Sequence, residues 1–434
     1  MRNEIDRLGT ITKFASTRES LQEFNARAGS RAASFRLQAY AREITPDERV
    51  KICWRHRLPD TPVLHVVHIP NAAGGAGRGH VRGLMRCCSV WVCNPCSMRV
   101  ALQRKSDLLA AVDNNRVRFL PLHVTYTARH AASDRLAKQL HALTEAYRRM
   151  RSGRWWQGFK TVAGVVASVR ATEITYGENG WHPHFHELLF TEVGAGFADE
   201  QELEIFAGQI ENMLTDRWMQ TLKAEGLTGE RQYALTVRAR SGNIADYISK
   251  YGHLPAENRN NWTVAHEVTM QQAKKAGGID GLTPWEILWI AGQGSRQAAS
   301  LWKEYVEATK GRSQLQWSRG ARDLLGVSET TDDEVIAADD TCEAEILAYI
   351  TGDQWKEIDR AGLIVDLLVA ADLRDVEAIE TMLAEIDARQ NESAPKVQCL
   401  PCSVDYDRPV FYERRAGALV CPYCGRVSKH RVTR

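Results

Sequence analysis

No run of about 18 apolar residues occurs anywhere in this 434-residue chain, so no stretch reads as a membrane-spanning helix. The opening residues, Met1-Arg-Asn-Glu-Ile-Asp-Arg-Leu8, lack the apolar core of a secretory signal. A soluble, cytoplasmic protein without a membrane partner is the expectation. A phosphate-cradling loop is also missing. The glycine-rich stretch Gly74-Gly-Ala-Gly-Arg-Gly79 is not followed by Gly-Lys-Ser/Thr, and it reads as a flexible connection. The ten cysteines do not look like a disulfide framework, because most sit in Cys-x-x-Cys pairs on a chain with no export signal. Metal binding is the reading that suits that spacing.

What the chain does have is charge, unevenly placed. The net charge is only +2, but between Thr331 and Gln390 there are 17 Asp plus Glu against 4 Lys plus Arg, leaving 52 basic against 37 acidic residues elsewhere. A basic body suits a polyanion partner, and a merely soluble surface would look the same. The acidic stretch reads as mainly helical, serving as a spacer, as a protein-contact segment or as a brake on nonspecific DNA binding.

The most informative stretch is Ala171-Thr-Glu-Ile-Thr-Tyr-Gly-Glu-Asn-Gly-Trp-His-Pro-His-Phe-His-Glu-Leu-Leu-Phe190. Apolar runs flank Gly177-Glu178-Asn179-Gly180, where Gly and Asn supply the positive φ of a tight hairpin. A turn symmetric about Glu178 and Asn179 sets Glu173 across from His184 and Ala171 across from His186. Alternation along a strand then puts His184, His186 and Glu173 on one face. Two imidazoles and a carboxylate leave coordination positions open for water and a phosphate oxygen, as a catalytic divalent-metal site requires.

Some sixty residues on lies Gly242-Asn-Ile-Ala-Asp-Tyr-Ile-Ser-Lys-Tyr251. On a helix, Tyr247, Lys250 and Tyr251 share one face. An ammonium beside a phenol favours phenolate and stabilises charge on a phosphate. Upstream, Arg118-Phe-Leu-Pro-Leu-His-Val-Thr-Tyr-Thr-Ala-Arg-His130 holds Thr125-Tyr-Thr127 on a strand.

Taken in that order, the threonine-rich strand, His184-Phe-His186 and Tyr247-x-x-Lys250 resemble the HUH endonucleases, specifically the rolling-circle plasmid replication initiators. The resemblance covers about residues 50–326. It implies an α+β fold, a central antiparallel sheet with helices on one face and the tyrosine helix laid across it. It also implies a Mg²⁺ or Mn²⁺ held by His184, His186 and Glu173, with Tyr247 as nucleophile and Lys250 neutralising charge. Tyr251, spaced like the second phenol of two-tyrosine enzymes, would perform a second transfer, and which tyrosine attacks first stays open. Asn243 stands where some single-tyrosine initiators have a glutamate that activates the terminating water, and Asp246 is a weak substitute. Partners implied are single-stranded or hairpin DNA at a replication origin, with a host helicase and a host polymerase. A rolling-circle transposase or phage initiator would share this chemistry. A non-enzymatic zinc-dependent DNA-binding regulator would leave the histidine and tyrosine motifs unused.

The remaining segments fall into place around this core. Residues 1–49 read as a polar, flexible or helical arm, and residues 50–112 as a cysteine-rich zinc segment followed by a helix. There Cys93-x-x-Cys96 has knuckle spacing, and Cys87 or Cys88 with Cys53 or His56 would complete a tetrahedron; Cys88 is the expected third ligand. Residues 113–260 form the nuclease core, with a long helix from Ala131 to Met150. Its end, Arg148-Arg-Met-Arg-Ser-Gly-Arg-Trp-Trp156, suits either contact with phosphates and bases or a capped helix end with buried indoles. Residues 261–326 are a helical extension and residues 327–394 the acidic segment. Residues 395–434 read as a zinc ribbon, because Cys399-Leu-Pro-Cys402 and Cys421-Pro-Tyr-Cys424 are separated by 18 residues and would close a structural four-sulfur Zn²⁺ site.

Overall fold

The computed structural model describes residues 31–45, 48–71, 77–192, 197, 199–239, 281–393, 413–415, 418–422, 424 and 426. Tyr247, Lys250, Tyr251, Asn243, Asp246, Cys399 and Cys402 lie outside them. Ten strands are described: β1 Leu64–Ile69, β2 Arg78–Arg82, β3 Phe119–Tyr126, β4 Val165–Gly177, β5 Gly180–Glu192, β6 Leu235–Ala239, β7 Leu315–Trp317, β8 Glu345–Ile350, β9 Glu413–Arg415 and β10 Ala418–Val420. The chain divides into two compact units, Met1–Lys51 with Cys87–Ile336 and Ile52–Arg86 with Ala337–Arg434.

The first unit is built on an antiparallel five-stranded sheet in the order β6-β3-β5-β4-β7. Its spine is the β4–β5 hairpin, 13 residues in each strand. The pairing runs through Gly177↔Gly180, Glu173↔His184 and Ala171↔His186, the register that the symmetric turn gives. The turn chemistry differs in one respect. Positive φ falls on Gly180 (82°), and Asn179 is not among the left-handed residues. A Cβ at Gly180 would stand 2.9 Å from Ala132 Cα, so glycine is required there for space as well as for backbone conformation.

Alternation gives the sheet two buried faces. Leu122, Val124, Tyr126, Phe185, Leu189, Leu235 and Val237 pack with the helices Leu136–Met150, Gly153–Ala163 and Glu200–Ala224. On the other face Phe119, Ala167, Val169, Ala171, Leu188, Phe190 and Leu315 pack with Asn94–Asp113 and Ala321–Leu325. A register shift between Val165 and Ala167 lets Val165 join the first cluster while Ala167 joins the second. Helices therefore cover both faces, where one covered face was expected. The reason is visible in β5, buried at 11 of its 13 positions, a strand with no solvated side. Trp218 is fully buried and its Nε1 donates to Thr127 O at 2.9 Å; truncating it to Ala would cost about 3–5 kcal/mol.

Several local expectations shift. The helix read from Ala131 begins at Leu136, because Asp134 accepts from Ala131 N and its own N–H returns to Ala131 O, closing a turn instead. Part of the polar arm is a docked helix, Arg31–Ile44, with Leu37, Gln38 and Ala41 buried. Tyr40 meets Trp289 edge-on, and Trp302 Nε1 donates to Thr45 Oγ1 at 2.8 Å. The described part of the helical extension holds Pro284–Gly292, opened by a Thr283/Glu286 capping box, and Arg296–Thr309, followed by β7 on the sheet edge. At the Arg148–Trp156 stretch Trp156 is 5% exposed, with the Arg151 guanidinium 3.7 Å above its ring, and Trp155 is half-buried against the same core.

In the second unit, β1 is the middle strand of a sheet ordered β2-β1-β8. The segment after Val50 and the acidic stretch, read from sequence as separate, thus share one sheet: Leu64 pairs with Ile350 and His65 with Tyr349. The helix Ile364–Leu373 buries Leu367, Leu368 and Ala371, and His68 Nδ1 donates to Ala371 O at 2.9 Å. Gly79 is needed under it, since a Cβ there would stand 2.5 Å from Leu368 O. Several acidic side chains have partners within the unit: Asp339 pairs with Arg78 and Asp359 with Arg55, and Asp340 bonds the His80 imidazole. The acidic stretch is a folded part of this unit rather than a plain spacer. At its end β9 and β10 form a hairpin, and Cys421 N donates to Arg426 O at 2.9 Å. Among the described residues no helix is long and apolar enough to cross a membrane.

Candidate metal centre

Glu173, His184 and His186 converge on one point. Their ligand atoms all lie within 4.8 Å of one another, and all three residues are buried. Glu173 Oε2 stands 2.9 Å from His186 Nε2 and 3.4 Å from His184 Nε2. Two ligands about 2.1 Å from one cation and at right angles to each other stand about 3.0 Å apart, so the set has the spacing of a shared ion.

The far side of each imidazole is engaged as well. His184 Nδ1 lies 3.3 Å from His182 O, and His186 Nδ1 lies 3.1 Å from His123 Nε2 and 3.3 Å from Thr125 Oγ1. A proton on each Nδ1 satisfies those neighbours and leaves both Nε2 lone pairs facing the carboxylate. This is the arrangement by which outer partners fix the tautomer of a metal-binding histidine. Two imidazoles and one carboxylate could hold a divalent cation and would leave further coordination positions open.

Two further imidazoles extend the row. His182 stacks on His184 (4.9 Å, 28°) and His130 on His182 (4.6 Å, 14°). Burial, then the neighbouring imidazoles of His184 and His130, push His182 down to about 3. Burial likewise lowers His130. Both rings therefore stay neutral near pH 7.

Behind the triad, on the opposite face, Glu187 is fully buried and accepts from Tyr126 OH at 2.8 Å and Tyr147 OH at 2.6 Å. Arg151 approaches the same carboxylate at 3.1 Å and donates to Ser168 Oγ at 2.6 Å. Burial, then the Glu187 charge, raises the phenol of Tyr126, and burial raises that of Tyr147; the interior keeps them protonated. This network pins β3, β4 and β5 to the helix Leu136–Met150.

The cysteines make a second centre. Within the first unit the sulfurs of Cys87, Cys93 and Cys96 all lie within 4.8 Å of one another. Cys87 and Cys96 Sγ are 3.8 Å apart, the separation that about 2.3 Å zinc–sulfur bonds in a tetrahedron produce. Gln38 Nε2 donates to Cys93 Sγ at 3.3 Å. Cys88, expected here, is not in the group; Cys87 takes its place. Cys87 is buried, whereas Cys88 is half-buried and adopts a left-handed backbone (φ 52°). Of the C-terminal cysteines, Cys421 is buried and Cys424 exposed, while Cys399 and Cys402 lie outside the described residues.

Sequence reasoning brought Glu173, His184 and His186 together and missed His123. Its signal was present: His123 and Thr125 are alternate residues of one strand and so face the same way. Tyr247, Lys250 and Tyr251 fall outside the described residues, so their positions relative to the triad are not described.

Comparison with known proteins agrees with the motifs. The model of the Replication protein family matches residues 83–203. The chain is 28% identical to "Protein rep" of Streptomyces lividans over 70% of its own length and 79% of that protein's. It is 31% identical to "Neomycin resistance protein" of Streptomyces cyanogenus, over 27% of this chain and 33% of that one. No solved structure matches. With residues 83–203 matching the replication-protein family and with the likeness to "Protein rep" over most of the chain, the resemblance to plasmid replication initiators is borne out.

Proposed function

We propose that this replication initiator starts rolling-circle synthesis by nicking one DNA strand at its origin through a tyrosine ester. The observation that carries the reading is the convergence of His184 Nε2, His186 Nε2 and Glu173 Oε2, with both Nδ1 atoms tied back by outer partners. When bound there, Mg²⁺ or Mn²⁺ supplies Lewis-acid polarisation of a phosphate oxygen.

The chain's own residues do the rest. The Tyr247 phenol attacks phosphorus in line; one P–O ester bond forms to the tyrosine as the bond to the 3′ oxygen breaks. The phenolic proton leaves and a proton ends on that 3′ oxygen, giving a 5′-phosphotyrosine and a free 3′-OH. The number of phosphoester bonds is unchanged, so no nucleotide cofactor is required. Lys250 neutralises charge on the phenolate or phosphate. Tyr251 is placed by spacing for a second transfer, which would end the cycle without a glutamate at Asn243. The 3′-OH primes a host polymerase, with strand separation left to a host helicase. The group of Cys87, Cys93 and Cys96 and the C-terminal Cys-x-x-Cys pairs are proposed as structural Zn²⁺ sites.

A supercoiled plasmid carrying the cognate origin tests this. The full chain with Mn²⁺ should convert it to open circles, and Tyr247→Phe should not. A zinc-dependent regulator would retard the plasmid without breaking it, and that result would overturn the reading.

A further inference from the structure

The threonine-rich strand is a sequence motif that the nicking chemistry leaves without a task, and its side chains divide their work sharply. Tyr126 turns to the buried Glu187 network, with its OH 2.8 Å from Oε2. Thr127 Oγ1 donates to Tyr233 O at 2.9 Å and fastens the strand end. Thr125 and His123 turn the other way, to His186: Oγ1 at 3.3 Å and Nε2 at 3.1 Å from the same Nδ1. The pairing places Thr125 directly opposite His186 and His123 opposite Leu188, so the two partners reach Nδ1 from adjacent same-face positions.

The two ring planes are nearly parallel, 15° apart with centroids at 5.1 Å, and His123 Nε2 meets His186 Nδ1 at 3.1 Å. Only one proton can lie on that axis. If it sat on His123 Nε2, His186 would carry its own proton on Nε2 and present an N–H to Glu173 instead of a lone pair. With the proton on His186 Nδ1, His123 Nε2 and Thr125 Oγ1 both accept, and His186 Nε2 is a ligand. The contrast with His184 is instructive. Its Nδ1 faces a main-chain carbonyl, which admits only the Nδ1–H tautomer and which substitution cannot remove.

From this geometry we infer that His123 and Thr125 are positioning residues for metal loading: together they hold His186 in its Nδ1–H tautomer and in the ring orientation that points Nε2 at the cation. The inference rests on the proposed metal site. The threonine strand thereby acts on the reaction through His186.

The test is Mn²⁺ titration of the full chain, followed by electron paramagnetic resonance of the free ion, with Glu173→Ala as the control for the site itself. The double variant T125V/H123F keeps side-chain bulk and removes both acceptors; it should weaken Mn²⁺ binding by about 10–100-fold. The pair T125S/H123Q, which restores a hydroxyl and an amide oxygen, should recover most of that loss. Nicking should follow the same pattern, with the Mn²⁺ concentration for half-maximal rate raised in T125V/H123F and the rate at saturating Mn²⁺ largely retained. Wild-type Mn²⁺ affinity in T125V/H123F, alongside loss in Glu173→Ala, would overturn this inference and leave the metal site standing. Loss in neither variant would overturn both.

Discussion

Glu173 stands directly opposite His184 in the β4–β5 ladder, yet its Oε2 lies closer to His186, at 2.9 Å against 3.4 Å. The carboxylate leans diagonally across the hairpin so that one oxygen serves two imidazoles. That relationship is what makes the three residues a single donor set rather than a salt-bridged pair with a bystander.

Removing the shared oxygen should therefore cost more than removing an outer partner. Glu173→Ala is expected to weaken Mn²⁺ binding by more than about 100-fold, beyond the range typical of outer-shell changes. Calorimetric titration of the full chain measures it. Unchanged affinity would mean that the ion, if any, is held elsewhere.

The buried face behind the histidines makes a separate expectation about stability. Glu187→Ala strips the carboxylate from two phenols and leaves Arg151 buried without its anion. The expected cost is about 3–5 kcal/mol, read from denaturant midpoints of the first unit's transition. A cost below about 1 kcal/mol would show that the network is not a clamp on this sheet.

Zinc content separates the two neighbouring cysteines. Cys87→Ser should lower the metal content of the purified chain by one zinc per molecule, whereas Cys88→Ser should not, because the sulfur grouped with Cys93 and Cys96 is that of Cys87. Elemental analysis of the two variants decides it. The reverse pattern would reinstate Cys88 as the ligand.

How much of this was legible beforehand follows from range. The hairpin register was readable because a symmetric turn fixes every pair beyond it, and the triad followed from alternation alone. The choice of Cys87 over Cys88 was not, since adjacent cysteines suit the same spacing and only the folded chain shows which sulfur meets Cys93 and Cys96. His123 was hidden because its partner, His186, lies 63 residues away on a different strand. The pairing of β1 with β8 joins Leu64 to Ile350, and a stretch read for its acidity gave no hint that Glu345–Ile350 would serve as an edge strand. The second covered face was missed because a strand buried on both sides shows weak alternation.

Acid should destabilise the second unit through His80. Burial lowers this imidazole, outweighing its hydrogen bond to Asp340, with Arg86 lowering it further. The folded state therefore stays neutral where the unfolded chain, near 6.5, takes up a proton. The unfolded state binds more protons in that window, so the contribution is present above about pH 6.5 and is lost as pH falls below it. His80→Gln, which can still bond Asp340 and cannot titrate, should show a smaller drop in melting temperature between pH 7 and pH 5 than the wild type. An identical drop would remove His80 from the acid response.

The central claim, that a phenol of this chain becomes esterified to DNA under control of the histidine–carboxylate centre, is tested most directly by intact-mass spectrometry after incubation with an origin oligonucleotide and Mn²⁺. The expected result is a covalent protein–DNA adduct that disappears with Tyr247→Phe, with Glu173→Ala and with chelator. A cleaved oligonucleotide with no protein-bound fragment, or an adduct indifferent to Glu173→Ala, would contradict it.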